Sequence, residues 1–106
     1  MRLALSEVVD RLRAAELLLE PPAGDVVLAG IADDSRRVRP RALYCAWRGT
    51  AADGHDFVGA ARQAGAAAML VERIVPGAGV PQVVVRDGRR AAAIAAAALY
   101  AEPQRE

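Results

Sequence analysis

The hydroxyl of Ser35 could act as a nucleophile if a base stood beside it, and the only histidine of the 106 residues is His55. With a nearby aspartate to orient the ring, the pair would serve a small stand-alone hydrolase. The Gly-x-Ser-x-Gly turn that exposes such a nucleophile is absent from the sequence. Asp34-Ser35 is also a pair that holds turns through side-chain to backbone bonds. A serine hydroxyl at a strand end both donates and accepts, which suits a carbonyl-and-imide edge such as that of a uracil base. No catalytic residue is therefore assigned.

Asp53, His55 and Asp56 place three possible metal ligands within four residues, with no glutamate or cysteine to complete the set. Helix capping by the aspartates, with His55 half-exposed, accounts for them, and no metal ligand is assigned. The stretch Gly49-Thr50-Ala51-Ala52-Asp53-Gly54 combines small side chains with exposed backbone N–H groups. Running into a helix N-terminus, such a loop can take up an anion. Arg36, Arg37, Arg39 and Arg41 make a basic turn, with Arg36 beside Ser35 where a phosphate contact would fit. One short apolar run, Leu43-Tyr44-Cys45-Ala46-Trp47, separates the two polar clusters. Loops beyond strand ends are where backbone donors and short polar side chains meet ligands. The two clusters are therefore expected to form one ligand surface, with candidates Asp33, Ser35, Arg36, Gly49, Thr50, Ala51, Ala52, Asp53 and Gly54.

The surrounding elements must position these loops. Ser6 can cap a first helix, with Glu7 near its positive end and Val8, Leu12, Ala15 and Leu19 on one face. Pro21-Pro22-Ala23-Gly24 is placed to end it. Residues 25–32 are a nearly continuous apolar run, expected as one strand covered on both sides, with Gly30 marking a close backbone approach. Leu43 to Trp47 follows as the second strand. Asp53 or Asp56 caps a second helix whose buried face is Phe57, Ala60, Ala61 and Ala64, with Gly65 as its C′ residue. Residues 67–71 and 82–85 read as strands, joined by a loop carrying Pro76, Gly77, Gly79 and Pro81. Asp87 caps a third helix with Ala91, Ile94, Ala95 and Ala98 on one face, and Pro103 stops it. Strand-helix-strand units of this kind predict an α/β fold: a small mixed, partly parallel sheet with about three helices.

Length suits one domain, residues 1–106. The chain is 54% hydrophobic but only 4% aromatic, so its core must be built from alanine and aliphatic side chains. A net charge of +1 gives no case for nucleic acid or a membrane surface. The single cysteine, Cys45, excludes an internal disulfide and sits in an apolar run as a buried thiol. No stretch has the form of a signal peptide or a bilayer span, and a cytoplasmic location is the default expectation. All basic side chains are arginine, so a Gly-Lys-Ser/Thr phosphate loop is excluded from this chain.

The ordered set Asp34-Ser35-Arg36-x-Val38-x-Pro40, Leu43-Tyr44-x-Ala46, Gly49-x-x-x-Asp53-Gly54-His55-Asp56-Phe57, Ala60-Ala61 and Gly65-Ala66 resembles the N-terminal domain of the Mur ligases. Val80-Pro81, Val85-x-Asp87 and Tyr100-x-x-Pro103 continue the likeness over nearly the whole chain. It is most similar to the branch that adds meso-diaminopimelate or lysine to UDP-N-acetylmuramoyl-L-alanyl-D-glutamate, and next to the branch that adds D-alanyl-D-alanine. The resemblance implies an N-terminal UDP-binding domain of a three-domain enzyme of peptidoglycan synthesis. Its partners would be the UDP-N-acetylmuramoyl peptide substrate and the central and C-terminal domains, which are absent from this chain. ATP and Mg2+ are implied for the whole enzyme and no cofactor for this domain, which alone is expected to be inactive.

By position, the resemblance puts Asp33 and Ser35 on the uracil pocket, residues 50–52 against the uridine, and Arg36 beside them. Arg41 stands where the family usually has glycine, and Tyr44 where phenylalanine is common. Thr50-Ala51-Ala52 is a plain version of the loop, so base contacts there would come mainly from backbone. A non-catalytic interaction module, docking through the Ala-rich third helix, is the alternative to a ligand-binding domain.

Overall fold

The computed structural model describes residues 2–101. Its elements are β1 (Leu3–Ala4), α1 (Leu5–Ala14), β2 (Leu18–Glu20), β3 (Val27–Leu28), β4 (Gly30–Ala32), β5 (Ala42–Cys45), α2 (Val58–Gln63), β6 (Ala68–Val71), β7 (Gln82–Val85) and α3 (Gly88–Ala101). Two 3₁₀ turns, Ser35–Arg37 and Gly54–Phe57, lie on the loops that follow β4 and β5. The main sheet has five strands in the order β2-β7-β6-β5-β4. All pairs are parallel except β2 with β7. The expected α/β class, mixed sheet and three helices are thus observed.

The core follows the pleat. Leu43, Cys45, Leu70, Val83 and Val85 face one side, where α1 and α3 pack, while Tyr44, Met69, Val71 and Val84 face the side of α2. Both faces are covered, as parallel strands require. Ala91, Ala95 and Ala98 are buried on α3. Side chains this small let the helix backbone lie close to the sheet.

Several elements depart from the sequence pattern. Helix α1 buries Leu5, Val8, Val9 and Leu12, and it ends well before Pro21. Glu16 takes a φ of 60°, and the N–H groups of Glu16 and Leu17 donate to the carbonyls of Arg13 and Leu12. This is a Schellman closure, built without glycine. Ala15 and Leu19 therefore leave the helix, and Leu19 lies exposed in β2. Ser6 is not the N-cap; its N–H donates to the Asp25 carboxylate at 2.9 Å. The cap comes from a residue 19 positions away, which no local pattern reveals.

Residues 25–32 do not form one doubly covered strand. Val27–Leu28 pairs antiparallel with β1, while Gly30–Ala32 pairs with β5 at the sheet edge and is only half-buried. Among the described residues, none but its chain neighbours comes within 4 Å of a Cβ built at Gly30, so the expected close backbone approach is not there. On α2 the buried residues are Val58 and Ala61, while Phe57, Ala60 and Ala64 are exposed. The 3₁₀ turn ahead of the helix resets its phase, which shifts the apolar face. On α3, Asp87 does cap, accepting from the Arg90 N–H at 3.1 Å. Leu99 joins the buried face, whereas Ile94 is only half-buried. The stop assigned to Pro103 lies outside the described residues.

Gly65 closes α2 as its C′ residue, with φ 110°, and its N–H and that of Ala66 donate to Arg62 and Ala61. A Cβ there would stand 2.9 Å from the Pro40 Cα. Arg41, in the turn closed by Ala42 N–H to Arg39 C=O, has φ 70°. A positive φ after Pro40 is the type II arrangement that favours glycine. Arg41→Gly should therefore raise stability by about 1 kcal/mol, since relief of left-handed strain slightly outweighs the added chain entropy. Gly65→Ala should lower it by at least about 1 kcal/mol. Chemical denaturation of both variants checks this pair, and a destabilised Arg41→Gly would contradict the strain.

Candidate ligand-binding site

The C-terminal ends of the adjacent parallel strands β4 and β5 deliver the two polar clusters to the same place. After β4, the Asp34 carboxylate accepts the Arg36 N–H at 2.9 Å and caps the first 3₁₀ turn. The same carboxylate takes the Arg36 guanidinium in a two-pronged contact, Nε at 3.1 Å and Nη2 at 2.8 Å. These side-chain bonds, then the backbone bond, hold the Asp34 carboxyl at about 2 and raise Arg36 above its ordinary value.

After β5, the chain makes a tight hairpin. Arg48 bridges Asp53, and Gly49 N–H donates to Ala52 C=O at 2.9 Å. Gly54 N–H returns to Trp47 C=O at 2.9 Å. The Tyr44 hydroxyl donates to Gly54 C=O at 2.9 Å. Burial first, and the nearby Asp34 next, push this phenol up to about 12, so it stays a donor. A Cβ at Gly54 would lie 3.1 Å from the Trp47 nitrogen, so the hairpin sits flat against β5.

Between the two loops lies an open cleft of about 710 Å³. Of the candidates, Asp33, Ser35, Arg36, Gly49, Ala52 and Gly54 line it. Thr50 and Ala51 are exposed on the hairpin apex outside the lining, and Asp53 is turned away from it. Asp34, Tyr44, Cys45, Trp47 and Phe57 also form the wall, and sequence reasoning left them out of the site. Their apolar or turn-forming character reads as core, helix face or cap, and only the meeting of the β5 C-terminal end with the two loops brings them here. Burial pushes the Cys45 thiol far up, which leaves it an inert wall.

His55 is buried, at 4% exposure, where half-exposure was expected. Nε2 accepts the Glu72 N–H at 2.9 Å, so the ring proton sits on Nδ1, which donates to Asp53 at 2.6 Å. The His55 backbone N–H, then its ring, then Arg73 hold the Asp53 carboxyl well below the usual carboxylate range. Glu72 carries the network on, accepting the Gly88 N–H at 2.7 Å and the Arg48 N–H at 3.4 Å. With both ring nitrogens engaged, His55 offers no base to Ser35, and the hydrolase alternative has no chemistry here. The expected anion cradle of the hairpin is also altered. Its Gly49, Gly54 and His55 N–H groups point to internal acceptors, and it leads into a short 3₁₀ turn.

A family model described as "Mur ligase family, catalytic domain" matches residues 27–100. A UDP-N-acetylmuramoyl-L-alanyl-D-glutamate–2,6-diaminopimelate ligase of Caulobacter vibrioides is 46% identical over 89 residues, covering 83% of this chain and 18% of that protein. The ligase of the same name from Streptomyces coelicolor is 39% identical over 106 residues, covering 96% and 20%. Among solved structures, crystal structure I of MurF from Acinetobacter baumannii superposes with TM-score 0.62 at 25% identity, covering 79% of this chain and 18% of that one. The chain thus spans about a fifth of the length of the curated relatives it matches.

Replacing His55 with leucine keeps the volume roughly filled but strands the buried Glu72 N–H. His55→Leu should cost about 1–3 kcal/mol of stability, the penalty for an unpaired buried donor. Urea unfolding measures this, and an unchanged midpoint would show that the imidazole bonds contribute nothing.

Proposed function

This chain belongs to the Mur ligase family, and we propose that its cleft holds the uridine end of a UDP-N-acetylmuramoyl peptide. The observation that supports this most is the convergence of two clusters, Asp33 to Arg36 and Gly49 to Gly54, on one cleft at neighbouring strand ends. Ser35 supplies a hydroxyl that can donate to a uracil carbonyl and accept from its imide N–H. Asp33 stands next to it. The hairpin of residues 49–54 lies along the nucleoside with its small side chains, Thr50, Ala51 and Ala52 near its apex, and Arg36 borders the mouth while paired to Asp34.

The substrate of the whole enzyme is UDP-N-acetylmuramoyl-L-alanyl-D-glutamate, and the amino acid added is diaminopimelate, as in the names of the curated relatives. Remote binding of this kind serves catalysis by orientation. Gripping the nucleotide handle fixes the distant carboxylate in place, and that lost freedom is paid before the chemical step. ATP and Mg2+ do not fit these residues. The chain has no lysine for a phosphate loop, and among the described residues no group of three carboxylate, histidine or cysteine side chains converges on a metal position. Those groups belong to further domains of the enzyme, and no step through them is assigned to this chain. No described helix is long and apolar enough to cross a membrane, and we place the enzyme in the cytoplasm with its nucleotide-linked substrate.

The chain should bind UDP in preference to ADP in a calorimetric titration. Ser35→Ala should weaken UDP by roughly 3- to 10-fold, the worth of one net hydrogen bond, without lowering the melting temperature. Equal affinity for UDP and ADP would overturn the assignment.

A further inference from the structure

A nucleoside diphosphate carries its negative charge away from the base, yet among the described residues the cleft at Ser35 has no uncommitted cation on its wall. Arg36 is engaged by both Asp34 oxygens, and the hairpin amides at Gly49 and Gly54 are satisfied internally. A second cleft of about 320 Å³ adjoins the first and shares Asp33, Cys45 and Trp47 with it. The far wall of that second cleft is α3, where alanine side chains leave the space open and Arg89 reaches across. The Arg89 guanidinium carbon stands 5.8 Å from the centre of the Trp47 ring. Among the described residues Arg89 makes no salt bridge. A guanidinium resting on an indole keeps its in-plane N–H groups free for a second partner.

We propose that the second cleft is the diphosphate subsite and that Arg89, held over Trp47, is its cation. This rests on the uridine assignment above. The ligand then crosses the Trp47 edge with its base at Ser35, its ribose hydroxyls donating to Asp33, and its phosphates at Arg89. The order suits the charges, because the Asp33 carboxylate meets hydroxyl donors and the anion lies beyond it. The backbone of α3 adds little anion affinity of its own, since Glu72 takes the Gly88 N–H and Asp87 takes the Arg90 N–H.

Uridine and UDP titrations of the 106-residue chain, read by the emission of its sole tryptophan, test the subsite. The wild-type chain should bind UDP at least about tenfold more tightly than uridine, the worth of a charge-assisted contact. Arg89→Gln should remove most of that ratio while uridine affinity stays within about twofold. Arg89→Lys, which keeps the charge, should retain part of the ratio and provides the test should the glutamine variant not fold. Arg36→Gln should leave the ratio intact. A ratio unchanged in Arg89→Gln, or lost instead in Arg36→Gln, overturns the subsite, as does equal wild-type affinity for uridine and UDP. Failure of the uridine assignment is separable: the chain would then not distinguish uridine from adenosine, whatever stands at position 89.

Discussion

One buried imidazole holds three parts of this molecule together. His55 joins the hairpin after β5, through Asp53, to the end of β6, through the backbone of Glu72. The Glu72 side chain extends the link to the first turn of α3 and to Arg48. These groups lie where water is largely excluded at the ring, so each bond is expensive to leave unmade. The constraint explains why a loop of small residues has a defined shape. Gly49, Ala52 and Gly54 are pinned by backbone bonds, and the Tyr44 hydroxyl fastens the hairpin to the sheet. A rigid hairpin can form one wall of a cleft without large side chains of its own.

The same economy of side-chain size runs through the core. Alternate residues of β5, β6 and β7 feed two apolar clusters, one under α1 and α3 and one under α2. With few aromatics to fill space, the layers approach closely, and close approach makes glycine and alanine positions matter. Gly65 meets Pro40, and Gly88 meets Trp47, where an added Cβ would stand 2.7 Å from the Trp47 Cβ. Trp47, two residues past the end of β5, is thus positioned by α3 as well as by the strand before it. It forms the edge between two adjoining clefts because the helix start is pressed against it.

Much of this was legible locally. The strand at Gln82–Val85, the glycine closing α2, the cap at Asp87 and the polar loops after β4 and β5 all carry signals within a few residues. The candidate cleft was half legible for the same reason: Asp33, Ser35, Arg36, Gly49, Ala52 and Gly54 are polar or small residues in loops, and they line it. Its apolar wall was not legible. Tyr44, Trp47 and Phe57 look like core residues, and only the C-terminal end of β5, the hairpin after it and the 3₁₀ turn bring them to the cleft that Ser35 lines. β2 was hidden because Leu17 to Glu20 continues the pattern of α1, and pairing with β7 decides its state.

By itself the sequence determined the class of the fold, the family likeness and the composition of the two polar loops that border the cleft, because periodicity, turn chemistry and motif spacing are properties of neighbouring residues. Tertiary structure decided the rest. It divided residues 25–32 between two sheets, gave α1 a cap from Asp25, buried His55 with both nitrogens occupied, and paired Arg36 with Asp34. Except for the Asp34–Arg36 pair, which is local yet has other conformations open to it, each of these depends on a partner distant in sequence. A hydrogen bond or a strand pairing has no strength until the fold brings its second half within reach.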